Sequence, residues 1–274
     1  MKHILITGCS SGIGYTCAHG LQKLGYSVFA TCRRDEDVKR LQDEGLNVCK
    51  LDLCDTNSMH EALTWMLSQT DGRIDVLFNN AAFGQPGAVE DLKRDVLREQ
   101  FETNVFGTQE LTNLVLPYMR KQKSGRIIYN SSILGFVAMS YRGAYNASKF
   151  AIEGLADTLR LELHKSGVEV VLIEPGPIRS AFRKNALAKF LANIDQENSA
   201  HKEIYEKTLA RLQKTGDAPF TLGAEAVLEA LLMAIEAKKP KARYAVTFPT
   251  KLFAWLKRFF STKLMDYVAR KSSE

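Results

Sequence analysis

Long apolar runs are missing from this 274-residue chain. The stretch from Leu111 to Met119 comes nearest, and Thr112, Asn113 and Pro117 interrupt it, well short of the ~18 to 20 apolar residues a spanning helix requires. Only Ile4, Leu5 and Ile6 precede the first glycine, too few for the apolar core of a secretory signal, so the expected location is the cytoplasm. Metal-binding patterns are also lacking. The five histidines stand outside any His-x-Glu or His-Glu-x-x-His context, and the five cysteines, Cys9, Cys17, Cys32, Cys49 and Cys54, show no zinc-ligand spacing. An odd number of thiols, all in the first fifth of the chain, reads as free cysteine in a reducing compartment and as no metal site.

What is present is the balance of an ordinary globular protein, 45% hydrophobic and 25% charged. The net charge of +6 is unevenly placed. From Lys238 onward ten basic residues face two acids, Asp266 and Glu274, which leaves 27 basic against 29 acidic residues in the rest. A near-neutral body with a basic tail, and no zinc-finger, RNP or helix-turn-helix pattern, does not read as a nucleic-acid-binding protein.

Short β-branched runs alternate with longer amphipathic stretches. Strands are expected at His3–Thr7, Ser27–Cys32, Asn47–Leu51, Ile74–Asn79, Gly125–Ser131 and Val168–Glu174, with a last edge strand at Arg243–Thr247. Helices are expected at Gly12–Leu24, Asp35–Gly45, Asn57–Gln69, Leu92–Lys121 with a bend at Pro117, Ala144–Lys165 and Leu222–Ala237. This alternation predicts an α/β protein with a doubly wound parallel sheet, the Rossmann fold, and ligands at the strand C-terminal ends. The domain expectation is a catalytic unit over 1–248, in which polar residues 178–221 form a mobile helical substrate lid, followed by a basic amphipathic tail over 249–274.

After the first strand comes Thr7-Gly8-Cys9-Ser10-Ser11-Gly12-Ile13-Gly14. The glycines let backbone N–H groups approach a pyrophosphate at a helix N-terminus, although they could serve only a tight strand-to-helix turn. At the tip of the second strand stand Arg33 and Arg34, where an NAD site would place an acid. A guanidinium there pairs with the 2′-phosphate of NADP, which favours NADP(H) as cofactor; the alternative is a solvated loop before a helix. Asp52 closes the third strand and suits either the adenine amino group or a turn.

Tyr145-Asn146-Ala147-Ser148-Lys149 places a phenol and an ammonium one helical turn apart. Tyr267 and Lys271 repeat that spacing and read as a surface pair, because Ser132 lies thirteen residues before Tyr145 whereas Ala254 holds the corresponding place before Tyr267. Together with Asn79-Asn80-Ala81-Ala82, Asn104 and Pro175-Gly176, these motifs resemble the short-chain dehydrogenase/reductase family over about residues 2 to 180. Carbonyl and aldehyde reductases and retinol or hydroxysteroid dehydrogenases are the members it is similar to. Ala82 departs from the usual glycine and adds a methyl near the cofactor.

The resemblance implies that Tyr145 exchanges a proton with the substrate oxygen, Ser132 hydrogen-bonds that oxygen, Lys149 holds the nicotinamide ribose and Asn104 supports a relay water. It extends the cofactor contacts to Gly8, Ser10, Ser11, Gly12, Ile13, Gly14, Arg33, Arg34, Asp52, Leu53, Asn80, Tyr145, Lys149, Pro175, Gly176, Ile178 and Ser180. An ammonium ~4 Å from the phenol is worth ~4 kcal/mol at an effective dielectric of 20, so Lys149 is expected to lower the Tyr145 pKa against desolvation. Ser131 rivals Ser132 but belongs on the opposite strand face. Asn79 and Asn80 are expected to support backbone rather than chemistry.

Leu134 to Tyr141, between the serine and the tyrosine, is largely apolar, and only Arg142, Arg179 or Arg183 could meet a substrate carboxylate. The expected substrate is therefore a small lipophilic carbonyl compound or alcohol, although these side chains could simply pack the core. In the tail, Leu252, Leu256, Phe259, Phe260, Leu264, Tyr267 and Val268 fall near one helical face with basic residues elsewhere. Such a helix covers its own domain or a partner subunit, or makes peripheral membrane contact. By resemblance the long helices mediate a homodimer or homotetramer. The expected function is reduction of a lipophilic aldehyde or ketone with NADPH. An alcohol-oxidising dehydrogenase and a catalytically silent NADP-binding sensor are the alternatives.

Overall fold

Alternate residues of each strand point to opposite faces of the sheet, and in this chain both sets are apolar. In the computed structural model, which describes residues 1–214 and 216–273, β1 (His3–Ile6), β2 (Ser27–Cys32), β3 (Val48–Lys50), β4 (Val76–Asn79), β5 (Gly125–Asn130), β6 (Val168–Glu174) and β7 (Arg243–Ala245) form one parallel sheet. Its order is β3-β2-β1-β4-β5-β6-β7. Register pairs Leu5 with Phe29 and Leu77, and Ile128 with Val171. Leu5, Phe29, Leu77, Ile127, Tyr129 and Leu172 pack on one face; Ile4, Ile6, Val28, Ala30, Phe78, Ile128 and Ile173 pack on the other. Sheets buried on both sides need helical layers on both.

The first layer is α3 (Thr56–Ser68), α5 (Thr108–Gln122) and α6 (Gly143–Glu162), which contribute Met59, Leu111, Val115, Ile152 and Ala156. The second is α1 (Gly12–Lys23), α2 (Asp35–Asp43) and α9 (Glu225–Glu236), with Cys17, Leu21, Leu41, Val227 and Leu231. The sheet order reverses between β1 and β4, so a crevice opens there at the strand C-terminal ends. All five cysteines are free. No helix among the described residues is long and apolar enough to cross a membrane.

Two expectations need correction. The long stretch Leu92–Lys121 departs from α geometry not at Pro117, which lies inside α5, but in a π-helical turn at Glu102–Gly107 that follows α4 (Arg94–Phe101). That turn accommodates two contacts. Gly107 lies so near Leu53 that a Cβ would stand 1.8 Å from the Leu53 carbonyl oxygen, and Asn104 is turned inward and 2% exposed. The tail is two helices rather than one continuous face, α10 (Phe248–Phe259) and α11 (Thr262–Ser273), because Phe260 is extended at φ −92° and ψ 141°.

Residues 178–221 carry α7 (Phe182–Asn193) and α8 (Lys202–Gln213), which bury Ala186, Phe190, Tyr205 and Leu212 against Ala88, Leu92, Val96 and Ala144. Thr215, within the expected lid, and Glu274, at the end of the tail, lie outside the described residues.

Candidate active site

The turn from β1 into α1 needs glycine for two reasons. Gly8 has φ +72°, and a Cβ there would approach Ala81 Cα at 2.9 Å; a Cβ on Gly14 would lie 2.2 Å from the Gly8 carbonyl oxygen. Ser11 is the N-cap residue of α1, yet its side chain makes no capping bond and the first turn holds no acid. The N–H groups of Gly12, Ile13 and Gly14 and the positive end of the helix dipole are therefore directed where an anion would sit. Asn80, just after β4, locks this turn: its Nδ2 donates to the Thr7 and Gly8 carbonyls at 2.9 and 3.2 Å, while its N–H donates to Thr7 Oγ1 at 2.9 Å. Asn79 bonds Thr112 instead, so both asparagines brace backbone or core. Such a cradle fits a dinucleotide pyrophosphate. Ala82, at the departure from the family glycine, is half-buried beyond this turn.

At the tip of β2, Arg33 and Arg34 are both exposed, and Arg34 lies 3.5 Å from Glu36. Asp35 is paired with Lys50 at 2.9 Å, which offsets its charge beside the tip. Arg40 also reaches this corner: its Nη2 donates to the Ser10 carbonyl at 2.7 Å, and its guanidinium lies 5.9 Å from the centre of the Tyr15 ring. Sequence reasoning passed over Arg40 because Asp37 and Glu44, at i−3 and i+4, give it the pattern of a solvated helix pair. Asp52 accepts from the Cys54 N–H at 3.0 Å and shapes a turn, and Leu53 is buried against the π-helical turn.

Ser132 lies two residues past the end of β5, and its Oγ accepts from the Leu134 N–H at 3.1 Å while also meeting the Tyr145 hydroxyl. Ser131 points the other way and donates to Glu153, which separates the two serines as strand alternation requires. From α6, Lys149 donates to the Asn130 carbonyl at 2.7 Å and lies 5.7 Å from the centre of the Tyr145 ring. Asn104 donates to Ser148 Oγ at 3.1 Å, and that hydroxyl donates to the Tyr145 carbonyl at 2.8 Å. Ser132, Tyr145, Lys149 and Asn104 are thus brought together. Ser148 joins them from the turn between Tyr145 and Lys149.

The expected lowering of the Tyr145 pKa is not found. Burial pushes the phenol up, with only the Ser132 hydrogen bond opposing it. Burial also pushes Lys149 down to about 8, partly offset by Glu153 one turn away. Burial penalises the phenolate and the ammonium alike, and at Tyr145 the cost of desolvating the phenolate is the dominant effect.

The strand β6 leads into Pro175-Gly176-Pro177-Ile178-Arg179-Ser180. The Pro175 carbonyl accepts from the Ile133 N–H at 2.8 Å, Ile178 bridges to Leu222, and Ser180 lies against Gly12, where a Cβ would come within 2.9 Å of its own. This loop therefore faces the glycine turn across the crevice. Beside the catalytic group, Phe182 meets Tyr145 edge-on at 5.1 Å. Ile133, Leu134, Val137 and Phe253 form an apolar cluster that Phe136, Met139, Tyr145, Met265 and Val268 complete. Phe253, Met265 and Val268 come from the tail, a contribution the sequence could not place because no periodicity reports which body surface a terminal helix covers. Arg179 is paired with Asp217, and Arg183 donates to the Lys214 and Gly216 carbonyls at 3.1 and 2.8 Å. Arg142 directs Nη1 at Met139 Sδ, 2.7 Å away, and is lowered to about 10 by burial, with Arg211 adding to the shift.

A glycine turn at the sheet's switch point and a Ser-Tyr-Lys constellation at adjacent strand ends define a nicotinamide-dependent oxidoreductase. The sequence model described as "short chain dehydrogenase" matches residues 2–190, and the chain belongs to that family. It is 39% identical over 267 residues to the "Uncharacterized oxidoreductase YbbO" of Escherichia coli strain K12, covering 97% of this chain and 93% of that protein. The "3-ketodihydrosphingosine reductase" of Bacteroides thetaiotaomicron is 34% identical over 272 residues, covering 97% and 96%. A short-chain dehydrogenase from Streptomyces avermitilis of known structure superposes with a TM-score of 0.75 at 29% identity, covering 94% of this chain and 96% of that one.

Proposed function

We propose that this protein is an NADP-dependent carbonyl reductase acting on lipophilic aldehydes or ketones. The apolar cluster in direct contact with Tyr145 carries the reading: Val137, Met139, Phe253 and Met265 give the surroundings of the phenol an apolar character that suits a lipophilic carbonyl compound. Arg33 and Arg34 at the β2 tip, with Arg40 nearby and Asp35 neutralised by Lys50, support recognition of a 2′-phosphate. The relative named for reduction of a long-chain keto compound points to the same substrate class.

When bound along the glycine turn and the loop from Pro175 to Ser180, NADPH would supply the hydride for the carbonyl carbon. Ser132 Oγ donates a hydrogen bond to the carbonyl oxygen, and Tyr145 Oη gives that oxygen its proton. The phenol is protonated at neutral pH, as the acid of a reduction must be, but burial makes it a weaker acid, so proton transfer leans on the Ser132 hydrogen bond that opposes the shift. Lys149, fixed by the Asn130 carbonyl, would hold the nicotinamide ribose, and Asn104, bonded to Ser148, would support the water that returns the proton. Ser10, Ser11, Ile13, Pro175, Gly176, Ile178 and Ser180 complete the cofactor contacts.

The proposal includes a cytoplasmic homodimer or homotetramer. Five free thiols suit a reducing compartment, and Phe106, Phe150 and Leu161 leave apolar side chains exposed along the π-helical turn and α6.

Fluorescence titration with NADPH and NADH, followed by NADPH oxidation against medium- and long-chain aldehydes and ketones, tests the reading. NADPH binds more tightly, and Tyr145→Phe lowers turnover by about 10²- to 10⁴-fold with cofactor affinity unchanged. Tighter binding of NADH would overturn the role of Arg33. Undiminished turnover by Tyr145→Phe would overturn the role of the phenol.

A further inference from the structure

The helix α10 has two apolar faces, and only one is used. Thr250, Phe253 and Leu256 point inward and are buried. Phe248, Leu252, Trp255 and Phe259 follow one another at spacings of four, three and four, which places all of them on a single opposite stripe. All four are exposed, Trp255 by 57% and Phe259 by 68%. The Trp255 and Phe259 rings meet at a tilt with centres 5.1 Å apart, and at the other end Phe220, also exposed, extends the patch beside Phe248 at 5.4 Å.

Charge identifies what covers this stripe. Lys251 and Arg258 lie along its edge on α10, and Lys263, Arg270 and Lys271 follow on α11, against Asp266 as the one acid among the described residues of the two helices. Pairing the stripe with that of a second copy would bring these cations against one another. The body of the same chain is already engaged by the inner faces, through Phe253 from α10 and Met265 and Val268 from α11. An aromatic stripe bordered by Lys and Arg on a helix lying flat matches the interface of an anionic bilayer.

We propose that the outer stripe of α10, extended by Phe220, docks this protein on the surface of an anionic phospholipid bilayer. The apolar cluster that includes Tyr145 contains Phe253 from the inner face of the same helix, so docking would bring that cluster close to the lipid from which a carbonyl compound would be delivered. Only this delivery step rests on the proposed reductase activity; the docking itself does not.

The test is sedimentation of the full chain with vesicles of phosphatidylcholine alone and of phosphatidylcholine mixed with phosphatidylglycerol, with quenching by brominated lipid. Trp65, the other tryptophan, packs edge-on against Phe29 at 5.4 Å, so lipid quenching reports Trp255. The wild-type protein partitions into the anionic vesicles with Trp255 quenched, and added salt weakens the binding. Trp255→Ser with Phe259→Ser lowers partition by roughly tenfold or more while NADPH affinity stays at the wild-type value. Lys251→Glu with Arg258→Glu removes the preference for anionic lipid. Wild-type protein remaining in the supernatant with both vesicles, or binding both equally, would overturn the proposal. So would shielding of Trp255 that grows with protein concentration in the absence of lipid, which assigns the stripe to a second copy. None of these readouts depends on turnover, so failure of docking is distinct from failure of the reductase reading.

Discussion

Lys149 should make the protein less stable at neutral pH than a neutral side chain in its place would. It is 4% exposed, and burial lowers its pKa from 10.5 to about 8. The unfolded chain therefore binds the lysine proton more tightly than the folded one. Below pH 8 both states hold that proton, and folding carries the full penalty of desolvating it, about 3 kcal/mol for a shift of this size. Between pH 8 and 10.5 the folded state releases the proton first and the penalty fades; above 10.5 it is gone. Lys149→Met removes the charge and keeps an unbranched apolar chain, but leaves the Asn130 carbonyl without the 2.7 Å bond, a loss of about 1 kcal/mol. The cofactor-free variant should then be about 1 to 2 kcal/mol more stable than wild type at pH 7. That advantage should shrink by up to about 1.4 kcal/mol per pH unit above pH 8 and change sign before pH 10.5. Urea unfolding of both proteins from pH 6.5 to 10.5 measures the difference, and groups titrating alike in both cancel. A stability difference that does not move across this window would refute the assignment of a desolvated ammonium to this position.

Arg243 bridges Glu153, Glu174 and Asp157 at 3.0, 3.0 and 2.7 Å, and burial raises Glu174 to about 7, with Glu153 adding to the shift. Arg243→Met strands these carboxylates and should destabilise by about 3 kcal/mol above pH 7. Because protonation of a carboxylate with a raised folded pKa relieves the burden, the deficit should narrow toward pH 5, and thermal melts at both values check the direction. Gly14→Ala would put a methyl 2.2 Å from the Gly8 carbonyl oxygen. The glycine turn must open to accept it, so NADPH affinity should fall at least about tenfold in a protein whose far-UV circular dichroism is unchanged; wild-type affinity would mean the turn does not hold the cofactor.

The strands were legible where breakers bound them. β6 runs from after Gly167 to before Pro175 and β2 from after Gly25 to the arginine pair, and both have the bounds their residues predicted. Ser132 could be chosen over Ser131 because a strand alternates its faces, which the Ser131–Glu153 bond reflects. Other features depend on distant packing. The π-helical turn forms because Gly107 meets Leu53 and Asn104 meets the Phe83 backbone, and nothing local to Glu102–Gly107 announces those neighbours. The break at Phe260 lies in a sequence whose apolar spacing continues across it. The high pKa of Tyr145 is a property of everything packed around the phenol, whereas its spacing from Lys149 conveys only one charge.

The tail helices have a consequence for how selectivity can change over time. The match to the short-chain dehydrogenase model ends at residue 190, whereas Phe253, Met265 and Val268, which pack in the cluster beside Tyr145, lie beyond it in a part of the chain shared with full-length relatives. Substitutions there alter the cluster without disturbing β1, the glycine turn or the Ser132-Tyr145-Lys149 geometry. Two proteins with the same first 190 residues and different side chains at these three positions could therefore divide a pool of compounds between them.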